Sequence, residues 1–220
     1  MIKRFLAVSA AAAIVAVAGV FAIGWPLATP VQTHVGKPPE DLGARPVEFK
    51  SDSGAIVHGW WCPTTTSRGA VLLLPGIRAN RLSMVHRARF LRRAGYSVLL
   101  IDFQATGETK GDHITFGWKE SRDVNAAVDF IHAVDPQDHI AIIGSSLGGV
   151  AALLATPPLK VDALVLEAVL SDHRDRHAQP DAKLPRSVWR NADASSFGPA
   201  AAAPWRFSSA IAAGRAYYPR

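Results

Sequence analysis

Cysteine is nearly absent from this sequence of 220 residues, and its scarcity excludes one way of stabilising the fold. Cys62 is the single cysteine, so no disulfide can form within the chain. The fold therefore depends on a hydrophobic core, and a chain of this length is sufficient for one domain of ordinary size.

Negative charge is also in short supply, but only in one part of the chain. The formal net charge is +6; residues 1–170 hold 16 Lys and Arg against 14 Asp and Glu, and residues 171–220 hold 8 against 4. No basic face interleaved with aromatic residues accompanies this excess in the patterned part, so we expect no nucleic-acid partner. We also expect no metal ion and no cofactor.

The first part of the chain lacks charge over a long run. Lys3 and Arg4 precede Phe5–Ala28, twenty-four residues without a charged side chain. A membrane span needs about 20 apolar residues, whereas the core of a secretory signal is about 7–15. We therefore predict that residues 1–28 are an uncleaved signal-anchor, a single pass with the body of the protein outside the cytoplasm. A cleaved signal peptide, giving a secreted or periplasmic protein, and a soluble helix are the alternatives.

Beyond this run, the pattern predicts a linker over residues 29–44, which are rich in Pro and Gly, and an α/β core over residues 45–170. Strands that alternate with helices of these lengths are typical of a mostly parallel sheet with helices on both faces. The predicted strands are Pro46–Lys50, Ala55–Trp61, Gly69–Leu74, Ser97–Phe103, His139–Ile143 and Val161–Leu170, and the predicted helices are Leu82–Ala94, Glu120–Val134 and the stretch after Ser146.

The motif Gly144-x-Ser146-x-Gly148 lies between the apolar run Ile140–Ile143 and the apolar helix that follows. A sharp strand-to-helix turn of this composition holds a serine hydroxyl above the sheet. Glycine is favoured on each side, because the neighbouring backbone comes too close for a Cβ atom. The helix that starts after the serine directs free N–H groups towards developing negative charge.

With these residues in place, the chain resembles the α/β-hydrolase superfamily, in its serine-peptidase and esterase branch, over about residues 45–170. Three pieces carry the resemblance: Leu74-Pro75-Gly76-Ile77, Asp102 to Glu108 with Gly107, and the elbow at residues 144–149. The resemblance implies that Ser146 is the nucleophile and that the backbone N–H groups of Ile77 and Leu147 form the oxyanion hole. It implies an ester, amide or thioester substrate of modest size.

A base for Ser146 and an acid that orients the base are lacking where the family would supply them. In this family both follow the elbow on later strands, yet residues 171–220 contain no apolar run longer than Ala200–Ala203. Two histidines follow the elbow, His173 and His177, and both read as loop residues. His113, on a loop at the predicted site, is the earlier histidine we rank highest.

Two explanations remain open for residues 171–220: a disordered basic extension, or an out-of-frame or truncated chain whose last strands are missing. Codons permitted from Asp172 onward, read one base later, can encode a stretch similar to the helical cap segment of related hydrolases. We favour the second explanation. The sequence thus predicts a membrane-anchored serine hydrolase and, as the alternative, a hydrolase-fold remnant that lacks the triad acid and histidine.

Overall fold

The computed structural model describes residues 14, 15, 19, 22, 24–65, 68–136 and 139–169. The predicted tail, residues 171–220, and most of the predicted anchor lie outside these ranges. Residues 24–28 are helical. In the portion described, no helix combines the length and apolarity that crossing a bilayer requires.

The chain folds around a mixed, mostly parallel sheet of six strands within the described ranges. Its strands are β2 (Arg45–Lys50), β3 (Ile56–Cys62), β4 (Ala70–Leu74), β5 (Ser97–Ile101), β7 (Ile140–Ser145) and β8 (Ala163–Glu167). The order across the sheet is β2-β3-β5-β4-β7-β8. The β2–β3 and β3–β5 pairs are antiparallel, and the β5–β4, β4–β7 and β7–β8 pairs are parallel. Two short strands, β1 (Val31–Gln32) and β6 (Thr106–Gly107), form a separate parallel pair.

Helices cover both faces of the sheet, as the alternating pattern predicts. Helix α1 (Val85–Arg93) packs on one face, and α2 (Glu120–Val134) and α3 (Leu147–Leu153) pack on the other. Successive side chains of a strand point to opposite faces of the sheet. Val71 and Leu73 of β4 therefore enter the core under α1, and Leu72 and Leu74 enter the core under α2 and α3. Buried apolar residues form both cores, so the central strands are apolar on both faces, which explains the continuous apolar runs.

One helix and one strand are shorter in the structure than the sequence predicts. A 3₁₀ turn, Arg81–Met84, occupies the start of the predicted helix Leu82–Ala94, because the Asn80 side chain accepts the N–H of Leu82 and tightens the first turn. Strand β8 is shorter than the predicted Val161–Leu170, and Asp162 instead binds the backbone N–H of Ile140 through its carboxylate.

The segment predicted as a linker, residues 29–44, is packed onto the domain. It contains β1, which pairs with β6, and a second 3₁₀ turn, Glu40–Leu42, whose Leu42 is fully buried. The Pro and Gly residues that suggested a linker shape the path of the segment, and backbone pairing with a distant loop holds it in place.

The sheet makes a direct prediction about stability. Leu72 is fully buried at the middle of β4, whereas the side chain of Leu82 is 47% exposed. We expect Leu72→Ala to lower the free energy of unfolding by about 2–5 kcal/mol, since it removes buried methylene groups and leaves a cavity. Urea denaturation of the full chain in detergent measures this. Leu82→Ala is the matched control, expected within about 0.5 kcal/mol of the parent; equal losses for both would contradict the assignment of the core.

Candidate active site

The predicted elbow is a sharp turn in which Ser146 has a backbone conformation that side-chain-bearing residues rarely adopt. Its φ is 48° and its ψ is −110°, between the end of β7 at Ser145 and the start of α3 at Leu147. Such strain costs of order 1–3 kcal/mol and persists only where the surroundings enforce it. Here the Ser146 N–H donates to the carbonyl of Glu167 at 2.7 Å, and its carbonyl accepts the N–H of Val150 at 3.1 Å.

Glycine is required on both sides of this serine by close backbone contacts. A Cβ atom on Gly144 would lie 2.6 Å from the nitrogen of Gly149, and one on Gly148 would lie 2.6 Å from the Cβ and the carbonyl oxygen of Leu74. Both distances are well below van der Waals contact. The two glycines therefore let α3 start directly against β7 and the end of β4, which leaves the serine at the turn.

The loop after β4 lies beside the serine. A Cβ built on Gly76 would be 3.8 Å from the Ser146 Cβ, and Ile77, the next residue, packs its side chain against the core under α2 and α3. Leu147 is the first residue of α3, so the helix itself offers no acceptor for its N–H. Of the two residues predicted to form the oxyanion hole, Leu147 directly follows Ser146 at the start of α3, and Ile77 follows Gly76 on the loop after β4.

A base for Ser146 is not found among the residues that the structure describes. No histidine side chain in those ranges hydrogen-bonds to the Ser146 hydroxyl. His113 is exposed, and the contact it makes is through its carbonyl oxygen, which accepts from the Gln104 side chain at 2.8 Å. His173 and His177 lie outside the described residues.

A buried ion cluster next to the site was not found from the sequence. The Arg81 guanidinium bridges the carboxylates of Asp102 and Glu108, and Arg81 and Asp102 are almost completely buried. Asp102 also accepts the backbone N–H of Arg81 at 2.7 Å and that of Glu108 at 2.9 Å. The cluster joins the loop after β4 to the loop after β5. Asp102 and Glu108 lie in one of the three segments that carry the family resemblance, but nothing in that segment predicts Arg81 as their partner.

Close packing around this cluster leaves no room for a side chain at Gly107, and burial and charge shift the pKa values of its two acids. Gly107 has a φ of 55°, and a Cβ there would lie 2.1 Å from a carboxylate oxygen of Asp102. Burial raises the pKa of Asp102, and the Arg81 charge and two N–H groups oppose that rise. Burial also acts on Glu108, but hydrogen bonds from Arg81, Gly36 and Val35 outweigh it and lower the pKa of Glu108 to about 2.

A second buried polar group holds the loop that follows β5 on the start of α2. The Glu120 carboxylate is fully buried and accepts from the Gln104 side chain at 2.6 Å, from the Thr115 hydroxyl at 2.6 Å and from the Gly117 N–H at 2.8 Å. One turn along the helix, Asp123 is fully buried and accepts the Gln104 N–H at 2.8 Å. This network fixes the loop over residues 104–117.

A cavity lies away from the elbow. It has a volume of about 1020 Å³ and is lined by the β2 end, α2 and the turn after α3, including Phe49, Phe130 and Lys160. No residue of the elbow or of the loop after β4 lines it. In the described ranges, no group of three or more His, Cys, Asp or Glu side chains is arranged to hold a metal ion.

The sequence matches a family profile over residues 65–193, more than half of the chain; its description is serine aminopeptidase, S33. The match runs beyond Leu170, where the apolar pattern stops. Two curated relatives match as well, among them the uncharacterized protein YfhR of Salmonella typhimurium, which is 25% identical over 118 residues. That match covers 50% of this chain and 40% of YfhR, so the chain matches less than half the length of its curated relatives.

Solved structures show the same architecture. The esterase Pf2001 of Pyrococcus furiosus is 30% identical in one crystal form, with a TM-score of 0.52 over 57% of this chain and 51% of the esterase. A second crystal form gives 28% identity and a TM-score of 0.55 over 62% of this chain and 55% of the esterase. The α/β-hydrolase GrgF of a Penicillium species, 24% identical with a TM-score of 0.51 over 59% of this chain and 47% of GrgF, shares the fold.

The close contacts at the elbow predict that one glycine substitution lowers stability and that a second, nearby one does not. We expect Gly148→Ala to lower the free energy of unfolding by about 1–3 kcal/mol, since the new methyl group meets Leu74 at 2.6 Å. Gly76→Ala is the matched control: its Cβ would lie no closer than 3.7 Å to its neighbours, which is ordinary contact. Urea denaturation of the three proteins tests this, and a stable Gly148→Ala protein would contradict the close approach of α3 to β4.

The buried carboxyl groups predict a dependence of stability on pH. Burial raises the pKa of Asp123 from 3.8 to about 6, although interactions with Ser51, Ser53 and Gln104 oppose the rise. The folded state therefore binds this proton more tightly than the unfolded state, and its contribution is complete below about pH 4 and lost as the pH rises through about 6. We expect Asp123→Asn to flatten the fall in stability between these values, by up to about 3 kcal/mol.

Urea denaturation across this pH range measures how Asp123→Asn changes the free energy of unfolding. The control is Asp129→Asn, which removes an exposed carboxyl group from the same helix and should leave the slope of the parent protein unchanged. An Asp123→Asn protein with the parent's slope would show that Asp123 titrates normally.

Proposed function

Because this chain belongs to the serine aminopeptidase S33 family of α/β-hydrolases, we propose that it is a serine hydrolase that cleaves esters, amides or thioesters of modest size. Ser146, in its Gly-x-Ser-x-Gly motif, is the nucleophile in this proposal. The backbone N–H groups of Ile77 and Leu147 form the oxyanion hole. We propose neither a metal ion nor a cofactor for the reaction.

The observation that carries the proposal is the strained turn at Ser146 with Gly76 against it. A serine with a φ of 48° at a strand-to-helix turn supports the proposed nucleophile elbow, since the superfamily holds its nucleophile on a strained turn of this kind. A Cβ built on Gly76 would lie 3.8 Å from the Ser146 Cβ, so the loop after β4 lies near the serine. This proximity supports the proposal that the loop provides an N–H donor for a bound carbonyl. The similarity to the Pyrococcus esterase favours acyl transfer over other chemistry on this fold.

The proposed reaction is acyl transfer in two steps. The Ser146 hydroxyl oxygen attacks the substrate carbonyl carbon and gives its proton to a base, while the carbonyl oxygen becomes an oxyanion between the two N–H groups. The intermediate collapses to an acyl-enzyme, and the leaving alcohol, amine or thiol takes the proton. Water then attacks the acyl-enzyme in the same way, which releases the acid and restores the serine.

Membrane anchoring through residues 1–28 is part of the proposal. Its support is the uncharged run Phe5–Ala28 behind Lys3 and Arg4, which favours a single pass with the hydrolase domain outside the cytoplasm. Cleavage after this run, with release of the domain, is the alternative. In either case the substrate is a small molecule.

One observation favours a second candidate, a hydrolase-fold protein without a working triad. In the ranges described, the Ser146 hydroxyl has no histidine partner. The sequence offers two histidines after the elbow, His173 and His177. A serine without a base attacks esters slowly, and removal of a base from a complete triad typically lowers the rate by orders of magnitude.

Labelling with a fluorophosphonate distinguishes the two candidates, since this probe reacts with activated serines. A serine hydrolase is expected to label at Ser146, as read by mass spectrometry of the labelled peptide, and to lose the label in Ser146→Ala. Ser145→Ala is the matched control, because it changes the adjacent serine of the same turn and should keep the label. Loss of labelling in His173→Ala or His177→Ala would identify the base. A parent protein that labels no faster than Ser146→Ala would refute the hydrolase and support the second candidate.

A further inference from the structure

The chain before the core crosses the loops that carry the candidate site. Ala28 accepts the N–H of Ile114 through its carbonyl oxygen at 2.8 Å. Val31 donates its N–H to the carbonyl of Ala105 at 2.8 Å, and Thr33 donates to that of Gly107 at 2.9 Å. We call residues 26–36 the strap.

Side chains from both loops bind the strap as well. Arg78 donates to the carbonyl of Pro26 and, at 3.1 Å, to the Thr29 hydroxyl. Asn80 donates to the Thr33 hydroxyl at 3.1 Å. The Glu108 carboxylate, already paired with Arg81, accepts two strap N–H groups at 3.1 and 3.2 Å. The strap is therefore joined to the loop after β4 and to the loop after β5.

The strap fixes where the uncharged run ends relative to Ser146. Arg78 directly follows Ile77, and Gly76 lies against Ser146. Phe5–Ala28 is continuous with the strap in sequence. The uncharged run therefore reaches the domain at the carboxyl edge of the sheet, the edge at which Ser146 lies.

Large apolar side chains are exposed at this same edge. The exposed fractions are 71% for Trp25, 49% for Phe116 and 66% for Trp118. The loop over residues 114–118 contacts the strap through Ile114, and at Gly117 a Cβ would lie 2.9 Å from Val150 of α3, the helix that starts at the elbow. These three aromatic residues therefore belong to the surroundings of the site.

The chemistry of this surface fits a lipid bilayer better than a protein partner. The Arg122 guanidinium lies 5.6 Å from the centre of the Trp118 ring, and Arg78 is exposed on the loop after β4. Tryptophan beside basic side chains is typical of the membrane interface, where the ring sits at the headgroups and the cations meet anionic lipid. An apolar run long enough to span a bilayer is joined to the same surface.

We propose that the carboxyl edge of the sheet faces a lipid bilayer, with Trp25, Phe116 and Trp118 at its interface, and that the substrate is an ester held by that bilayer. The substrate part of this inference rests on the proposed hydrolase function. The orientation depends on the strap, on the exposed aromatic residues and on the uncharged run, and not on catalysis. A substrate at the bilayer surface would reach Ser146 without crossing the aqueous phase.

The test uses the full chain reconstituted in vesicles of phosphatidylcholine and phosphatidylglycerol, with an environment-sensitive NBD label on one introduced cysteine. Cys62 gives no background, since it is fully buried and burial raises its pKa to about 12. The reporter is Trp118→Cys, with Phe116→Cys as a second variant. The matched control is Val134→Cys, at an exposed apolar position at the end of α2, which lies at the opposite edge of the sheet.

We expect doxyl-labelled phosphatidylcholine to quench the label at positions 118 and 116 roughly twofold or more, since an interfacial side chain lies within about 5–10 Å of the headgroup–acyl boundary. The label at position 134 should keep its emission. Absence of quenching at 118 and 116, or equal quenching at all three positions, would overturn the orientation. Quenching at 118 and 116 in a protein without fluorophosphonate labelling would support the orientation and refute the hydrolase, so the two failures are distinguishable.

Discussion

The close approach of three backbone segments at the elbow is the constraint on which the site depends. Strand β7 ends, α3 begins and the end of β4 passes alongside within distances that leave no room for a Cβ on Gly144 or Gly148. Ser146 is held at a φ of 48° because the segments on both sides are fixed by the sheet and by the core under α3. Backbone strain of this kind survives only in a well-packed setting, so the buried sheet and the half-buried serine are parts of one arrangement.

Buried charges organise the loops around that serine. Arg81, Asp102 and Glu108 form a paired cluster between the loops after β4 and β5, and Glu120 with Gln104 holds the second of these loops on α2. A buried charge without a partner is costly, so each loop is confined to the conformation in which its charges meet. The strap uses the same cluster, since Glu108 also binds the N–H groups of Val35 and Gly36. The loops, the strap and the surface at the site therefore have one common support.

The proposed function follows from what these loops bring to one edge of the sheet. The described residues supply a serine at a strained turn, with Leu147 next in the chain and the loop of Gly76 and Ile77 nearby. Chemistry at a carbonyl also needs a base, and two histidines in this sequence follow the elbow, His173 and His177. The exposed aromatic side chains lie at the same edge as the serine and the end of the apolar run. This arrangement is the basis of the proposal that a bilayer presents the substrate.

The sequence by itself determined the alternation of strands and helices, the burial of the sheet on both faces and the position of the elbow, because each depends on a local pattern. A strand buried on both faces is a continuous apolar run, as at Ala70–Leu74, and Gly144-x-Ser146-x-Gly148 is a local motif. Only the tertiary structure decided the partner of Asp102 and the role of residues 29–44. Arg81 is twenty-one positions from Asp102, and the strap pairs with a loop more than seventy positions away. Interactions between distant segments leave no periodic signal in either segment, so composition indicated a linker where the structure has a segment packed onto the domain.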